Sequence, residues 1–203
     1  MSTGRIIVAI TGASGAPYAL SLLKCLSHSF VEIYLLISTQ GRQVLSLECD
    51  LDIPENPPKD YSLPGFGAAK LIFSDTHSFF TPPASGSFLN DGMVIVPCSM
   101  GTMGRIAHGI SNDLISRAAD VTLKESRPLI LVPRETPYNL IHVRNMTLLI
   151  EAGAKIVPAS PGFYNKPKTV QDMIDHVVAR ILQQLNLSQS LVPQWKYAEE
   201  PSE

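Results

Sequence analysis

The chain has 203 residues, of which 45% are hydrophobic and 17% charged, so it is long enough to bury a core and too apolar to be disordered. Its 16 Lys and Arg residues against 18 Asp and Glu residues give a formal net charge of −2, which predicts neither nucleic acid nor an anionic membrane as a partner. The three cysteines are widely spaced and suggest neither a zinc site nor a disulfide framework. No signal peptide or run of transmembrane length is visible, so we expect a cytoplasmic protein that binds no membrane.

Six apolar runs predict the strands of a parallel sheet, and helical patterns lie between most of them. This alternation is typical of a single-domain, doubly wound α/β protein of the Rossmann-like or flavodoxin-like type, whose ligands bind at the C-terminal ends of the strands. We expect one domain over residues 1–187 and a C-terminal tail over 188–203. The predicted strands cover residues 6–10, 31–37, 70–73, 93–96, 129–132 and 155–157.

The first strand runs into the small residues of the motif TGASGA at residues 11–16. Small residues let backbone N–H groups approach an anion, and a helix that begins near Ala16 directs its positive end there. A phosphate-bearing ligand is the natural occupant, although a tight turn that binds nothing has the same pattern. The motif is neither GxGxxG nor GxxxxGK[ST], which counts against NAD and ATP as ligands.

Two irregular segments follow, at residues 53–67 and 79–87, and the first of them is predicted to be a surface excursion because it is rich in Pro and Gly. The motif PCSMGT at residues 97–102 then follows the fourth strand. Its hydroxyl groups and backbone N–H groups suit a phosphate or a ring carbonyl, and ordinary helix capping by Ser99 or Thr102 is the alternative. The next helix is predicted to have its first turns at residues 104–108.

Arg117, Asp120 and Lys124 are spaced to lie on one face of a helix over residues 112–126, where a solvated ladder of ion pairs is the simpler interpretation. Arg134 and Glu135 differ, because they follow a buried strand and lie in a loop restrained by prolines. An arginine fixed beside a carboxylate suits an anion clamp paired with a general acid or base, and here we favour function.

Two further residues lie near the C-terminal end of the predicted domain. Tyr164 follows the last strand and is either a ligand or a core aromatic with a satisfied hydroxyl group. Arg180 lies at the margin of the apolar face of a helix over residues 170–185, where it could simply extend to water. The only tryptophan, Trp195, lies in the tail.

Taken together, these motifs resemble those of the UbiX-type flavin prenyltransferases. The resemblance rests on ITGASGA (10–16), PPASGS (82–87), PCSMGT (97–102), RAADVTLKESRPLILVPRETP (117–137) and PASPGFYNKP (158–167), and it covers nearly the whole chain. It implies reduced FMN as a bound substrate and dimethylallyl monophosphate as the prenyl donor. The product is FMN with an added ring through N5 and C6, used by a UbiD-type decarboxylase. The family also implies a homododecamer with sites at subunit interfaces, so residues 117–124 are candidates for acting across a boundary.

The resemblance also assigns residues to the site. Catalytic roles are implied for Ser14, Glu48, Lys124 and Glu135, the two acids handling protons near the leaving phosphate and N5. The implied flavin-binding residues are Gly12, Ala13, Ser14, Ser38, Ser99, Met100, Gly101, Thr102 and Arg134. The implied donor-binding residues are Ser85, Gly86, Arg117, Lys124, Arg134, Tyr164, Arg180 and Trp195.

The residue types agree with this chemistry, because an allylic monophosphate leaves only if several cations and a proton donor stabilise it. The aromatic pair Phe79 and Phe80, with Trp195, could keep water from the developing allyl cation. No Asp-rich magnesium motif is visible, which suits a metal-independent reaction.

Two other functions remain open at this point. One is an FMN-dependent cysteine decarboxylase of the same superfamily, although His28 is the only early histidine and no PxMNxxMW-like clamp is present. The other is a non-catalytic FMN carrier, which would not need Lys124, Tyr164 and Arg180.

Overall fold

The computed structural model describes residues 4–58, 61–63 and 65–193 of the chain. Within these residues six strands form one sheet, and every neighbouring pair is parallel. The strands are β1 (Arg5–Ile10), β2 (Glu32–Ile37), β3 (Lys70–Ser74), β4 (Met93–Cys98), β5 (Leu129–Pro133) and β6 (Lys155–Ile156). Their order, β3-β2-β1-β4-β5-β6, is that of a doubly wound sheet and confirms the predicted fold class.

Helices connect successive strands, as parallel pairing requires, except between β3 and β4, which are not neighbours and are joined by a loop with one short 3-10 helix, Pro82–Ala84. The α-helices are α1 (Ala16–Leu26), α2 (Thr39–Cys49), α3 (Met100–Ala107), α4 (Leu114–Lys124), α5 (Leu140–Glu151) and α6 (Val170–Gln184). The prediction that α3 has its first turns at residues 104–108 is wrong. Ser99 accepts a hydrogen bond from the Thr102 N–H group, and this cap starts the helix directly after β4.

Two hydrophobic cores cover the two faces of the sheet. In β1, Ile6, Val8 and Ile10 face the core built with α1, α2 and α6, whereas Ile7 and Ala9 face the core built with α3, α4 and α5. All five side chains are buried, as expected for a central strand covered on both faces. Because both faces of the sheet are covered, a ligand can reach it only at the edge strands or at the ends of the strands.

The segment between α2 and β3 differs in part from the predicted surface excursion. It contains neither helix nor strand among its described residues, but Ile53 and Leu63 are buried in the first core. The guanidinium group of Arg42 links the start of this segment to β2, because it donates to the carbonyl oxygens of Pro54 and Glu55 in the segment and of Ile37 in the strand. The segment is thus packed onto the domain beside the C-terminal end of β2.

Two features are absent from the part of the chain that the structure describes. None of its helices is long and apolar enough to cross a bilayer. No group of three or more His, Cys, Asp and Glu side chains within these residues is arranged to hold a metal ion.

Candidate functional site

The C-terminal ends of β1 and β4 are joined by one buried hydroxyl group. Thr11 donates through Oγ1 to the carbonyl oxygen of Pro97 at 2.8 Å and accepts from the N–H group of Ser99 at 2.8 Å. In this strand order, β1 and β4 are the neighbours at which the winding direction reverses, and such points carry the ligand crevice of doubly wound sheets. Thr11 therefore fixes the TGASGA and PCSMGT loops to each other at the expected ligand position.

The N-terminus of α1 is occupied by a side chain of the protein itself. Glu48, at the end of α2, accepts hydrogen bonds through Oε2 from the N–H groups of Gly15 at 2.9 Å and Ala16 at 2.8 Å. A carboxylate is a favourable partner for the positive end of a helix. Glu48 therefore occupies the helix end at which the sequence predicts an anion.

The ionisation of Glu48 follows from these contacts. Burial alone would raise the pKa of the Glu48 carboxyl group. Hydrogen bonds from the Ser14 hydroxyl group and the Gly15 and Ala16 N–H groups, together with the positive charge of Arg134, lower that pKa below its usual value. Ser14 is exposed, and the Arg134 Nε–H group donates to its carbonyl oxygen at 3.3 Å. Three predicted site residues, Ser14, Glu48 and Arg134, thus lie together.

The loop after β1 lies directly against the first turn of α2. A Cβ atom on Gly12 would collide with the Cβ atom of Gln40, which is too close to the backbone to move away cheaply. Ser38 caps α2 by accepting from the Gly41 N–H group at 3.0 Å. Glycine at position 12 is therefore what allows the loop after β1 to lie against the N-terminus of α2.

At the N-terminus of α3, two backbone donors have no partner within the helix. Ser99 Oγ accepts from the Thr102 N–H group and donates to Thr102 Oγ1 at 3.1 Å, and Thr102 Oγ1 also accepts from Arg105. The N–H groups of Met100 and Gly101 lie in the first turn and lack intrahelical acceptors. Gly101 is exposed, so this helix end can donate to a phosphate or a carbonyl oxygen.

Arg134 and Glu135 directly follow β5, at the same end of the sheet. Arg134 is exposed and Glu135 is partly buried, and Glu135 Oε1 accepts from the Thr136 N–H group at 3.0 Å. Both groups remain available to a ligand, and the clamp of an arginine beside a carboxylate stays a prediction.

A second group of predicted residues lies at the opposite end of the sheet. Lys124 is the last residue of α4, which runs antiparallel to the strands, and it pairs with Glu125 at 2.5 Å. A Cβ atom on Gly86 would lie 2.8 Å from Lys124 Nζ, so the Ser85–Gly86 loop lies directly against this amine. Arg117, one turn into α4, donates to the Ala84 carbonyl oxygen and pairs with Asp120 at 2.8 Å.

Arg127 holds this second group in place, and the sequence analysis did not identify it. Its guanidinium group donates to the carbonyl oxygens of Gly86 and Phe88, each at 2.8 Å. The carbonyl oxygen of the next residue, Pro128, accepts a hydrogen bond from the N–H group of Met93, so this second group lies at the N-terminal end of β4. A strand of six residues spans about 20 Å, so Lys124 and Gly86 lie roughly that far from Arg134 within one chain.

Tyr164 and Arg180 lie at the β6 edge, in a third place. Arg180 lines a groove of about 570 Å³ between β6 and α6. The Tyr164 ring is half exposed and packs edge-to-face on His176, with ring centroids 5.3 Å apart. One chain therefore does not bring the predicted donor-binding residues together.

The aromatic side chains of Phe79 and Phe80, which we predicted to shield the allyl cation from water, do not enclose a site within one chain. Phe80 is fully exposed and Phe79 is 44% exposed, so neither encloses a site within the described residues. Trp195 lies outside the described residues.

Thr11 was also missed as a functional residue, since nothing in a single sequence shows that its hydroxyl group reaches Pro97.

Known proteins resemble this chain over nearly its whole length. The model of the family described as Flavoprotein matches residues 1–184. The flavin prenyltransferase UbiX of Pseudomonas aeruginosa is 46% identical, with 94% of this chain and 93% of the relative covered. A crystal structure of AnUbiX (PadA1) in complex with FMN and dimethylallyl pyrophosphate superposes with a TM-score of 0.86 at 40% identity, covering 96% of this chain and 98% of that one. A dodecameric FMN-dependent UbiX-like decarboxylase from Escherichia coli O157:H7 superposes with a TM-score of 0.84 at 38% identity, covering 96% and 100%.

Proposed function

The chain belongs to the flavin prenyltransferases of the flavoprotein family, and we propose that it joins a dimethylallyl group from dimethylallyl monophosphate to N5 and C6 of reduced FMN. The observation that carries this proposal is the meeting of Ser14, Glu48 and Arg134 beside the open N-terminus of α3. This arrangement offers an anion site, a hydroxyl group and an ionised carboxylate at the expected ligand crevice. The crystal structure of AnUbiX with FMN and dimethylallyl pyrophosphate supports a flavin and a dimethylallyl phosphate ester as the two substrates, and the choice of the monophosphate rests on the family resemblance.

The residues at the strand ends fit FMN. The N–H groups of Met100 and Gly101, which lack intrahelical acceptors, suit a phosphate or a ring carbonyl oxygen, and Gly12 lets the loop after β1 pack closely against α2. We assign FMN binding to these residues together with Ala13, Ser14, Ser38, Ser99, Thr102 and Arg134. Reduced FMN supplies the nucleophilic N5 and C6 positions. Ser14 and Glu48 lie where they can orient the substrates, and the ionised Glu48 can accept a proton.

Departure of the donor phosphate requires positive charge and a proton. Lys124, Arg134 and Arg180 supply the charge, and Tyr164 supplies a hydrogen bond. Glu135 is our candidate for the acid that protonates the leaving group, because it directly follows Arg134, which we assign to the donor phosphate. Arg117 and the Ser85–Gly86 loop hold Lys124 in position.

These donor residues can act together only if more than one copy of the chain contributes them. Lys124 lies at the beginning of the strands and Arg134 at their end, so a second copy must bring its Lys124 to the first copy's Arg134. Exposed apolar side chains support such an assembly, because they would otherwise face water. On α5 and the loop before it they are Tyr138, Leu140, Ile141, Val143, Leu148 and Ile150.

We extend the proposal to the assembly and the recipient of the product. The oligomer is a homododecamer, like the dodecameric relative from Escherichia coli O157:H7. The prenylated FMN passes to a UbiD-type decarboxylase in the cytoplasm, since the modified flavin is useful only to an enzyme that binds it.

Mass spectrometry of the released flavin tests this function. After anaerobic incubation with reduced FMN and dimethylallyl monophosphate, we expect the flavin to gain the mass of one prenyl unit. Incubation without the donor is the control. Bound but unmodified FMN would instead support the carrier or the cysteine decarboxylase, and would refute the donor-site assignments.

A further inference from the structure

His176 is a histidine on α6 that the sequence analysis did not identify. Its Nδ1 atom is buried and has no hydrogen-bond partner. A buried polar atom without a partner costs free energy and is rare in folded proteins, so its presence calls for an explanation. His176 makes edge-to-face contact with the Tyr164 ring and lies one helical turn before Arg180. It thus stands between two residues assigned to the donor phosphate.

The environment of the ring indicates which nitrogen carries the proton. A proton on Nδ1 would leave a buried N–H group unpaired, and buried N–H groups without acceptors are rarer than buried acceptors without donors. The favoured tautomer therefore carries its proton on Nε2. Of the two ring nitrogens only Nδ1 is both buried and unpartnered, so Nε2 retains access to its surroundings.

His176 lines two grooves, one of which also contains Lys166, Lys168 and Asp172, and the other, beside Arg180, is suited to an anion. Lys155, Ser160 and Arg180 also line it, and no Asp or Glu side chain does so among the described residues. Lys155 donates to the Gln184 carbonyl oxygen at 2.9 Å, and the Arg180 guanidinium group donates to the amide oxygen of Gln183 at 2.6 Å and forms no ion pair with the described residues. Because Gln183 is neutral, the charge of Arg180 remains available to a phosphate. An Nε2–H donor beside that guanidinium group adds a directional hydrogen bond.

We propose that His176 is a further substrate-binding residue, whose Nε2–H group donates a hydrogen bond to a phosphoryl oxygen of the prenyl donor between Tyr164 and Arg180. This inference rests on the proposed function for the identity of the phosphate. It does not require His176 to exchange a proton during the reaction.

Three substitutions separate the hydrogen bond from ring packing. His176→Phe keeps an aromatic ring against Tyr164 but removes both nitrogens. His176→Gln loses the ring but can place an amide N–H group near the position of Nε2, whereas the shorter His176→Asn reaches only the position of Nδ1. Steady-state kinetics with dimethylallyl monophosphate, and calorimetric titration of the FMN-loaded protein with inorganic phosphate, provide two independent measurements.

We expect His176→Phe to raise KM for the donor about tenfold, because a hydrogen bond to a charged group is lost. The value of kcat and the affinity for FMN should stay close to those of the wild type. His176→Gln should restore KM and phosphate affinity, and His176→Asn should not. Unchanged KM and phosphate affinity in His176→Phe would overturn the proposal, as would loss of both in His176→Gln with retention in His176→Phe.

The phosphate titration distinguishes failure of this inference from failure of the proposed function. If the wild-type protein binds phosphate but forms no prenylated FMN, the proposed function is wrong, and weaker phosphate binding by His176→Phe still supports the assignment of His176. If the wild-type protein prenylates FMN and His176→Phe binds phosphate as tightly, only the assignment of His176 is refuted.

Discussion

Glu48 Oε2 lies 2.8 Å from the backbone nitrogen of Ala16, so a carboxylate from the end of α2 closes the N-terminus of α1. The same oxygen accepts from Gly15, and the Ser14 hydroxyl group also bonds to this carboxyl group. Glu48 therefore has a structural role at the helix as well as the catalytic role that the family resemblance implies. A substitution at this position should change both stability and turnover.

Glu48→Gln should lower the free energy of unfolding by about 1 kcal/mol, because the helix end loses a negative charge. Burial raises the pKa of Glu48, but the hydrogen bonds and Arg134 lower it further, so the net shift is downward. A lowered pKa in the folded state stabilises the protein above the pKa of the unfolded chain, and that contribution is lost as the pH falls through the folded-state pKa.

Urea denaturation of both proteins across pH measures this effect. The difference in stability should be constant above roughly pH 5 and should shrink in more acidic solution. Glu151→Gln, at the exposed end of α5, is the matched control and should show no such difference. A difference that is the same at all pH values would contradict the assigned ionisation.

Gly86→Ala should weaken donor use without unfolding the protein. The added Cβ atom would lie 2.8 Å from Lys124 Nζ and would also meet the Glu125 carboxylate, both at the ends of flexible side chains. These ends can move, so we expect a stability close to that of the wild type and a displaced Lys124 amine. KM for the prenyl donor should rise several-fold while FMN affinity is retained. Leu89→Ala, at an exposed position in the same segment, serves as the control. Normal KM in Gly86→Ala would show that the loop does not position Lys124.

Cys98 should not act as a nucleophile although it lies within the PCSMGT motif. Burial raises the pKa of its thiol group to about 12, so the thiolate is negligible at neutral pH. Titration of the native protein with a thiol reagent should find Cys98 unreactive, and denaturant should expose all three cysteines. Cys98→Ala should retain prenyl transfer. Rapid modification of Cys98 in the folded protein, accompanied by inactivation, would contradict this account.

The sequence predicts the sheet well because each strand is a continuous apolar run. Predicted and observed strand bounds differ by at most two residues, as at β4, which continues to Cys98. The start of α3 was predicted too late because the glycines at positions 101 and 104 resemble a loop, whereas the Ser99 cap decides where the helix begins. Capping by Ser99 was one of the alternatives that the sequence offered, and the hydrogen bond from the Thr102 N–H group confirms it.

The site was predicted less completely than the fold, and for a physical reason. Residues that directly follow strands, such as Ser14, Ser99 and Arg134, lie near one another because the C-terminal ends of parallel strands are all on the same side of the sheet. The contact between Glu48 and Ala16 spans 32 residues and depends on how α2 packs, which periodicity does not encode. Lys124 lies at the opposite end of the strands because α4 runs antiparallel to them. The family resemblance therefore assigns Lys124 and Arg134 to one site, although a single chain holds them far apart.

The assembly of the donor site from two copies of the chain is tested most directly by complementation between two inactive variants. Lys124→Ala removes the amine that lies at the N-terminal end of the strands, and Glu135→Gln removes the carboxylate that lies at their C-terminal end. Each variant alone should lose most prenyl transfer, since each removes a cation or an acid from the site. The two chains are coexpressed with different tags, and mixed oligomers are isolated by sequential affinity steps.

If the two residues act from different copies, about a quarter of the sites in an evenly mixed oligomer combine an intact Lys124 with an intact Glu135. Activity of the mixed oligomers, measured by mass spectrometry of prenylated FMN, should then return to about that fraction of the wild-type value. If both residues act within one chain, every site carries a defect. Mixed oligomers as inactive as the two parent variants would contradict the shared site.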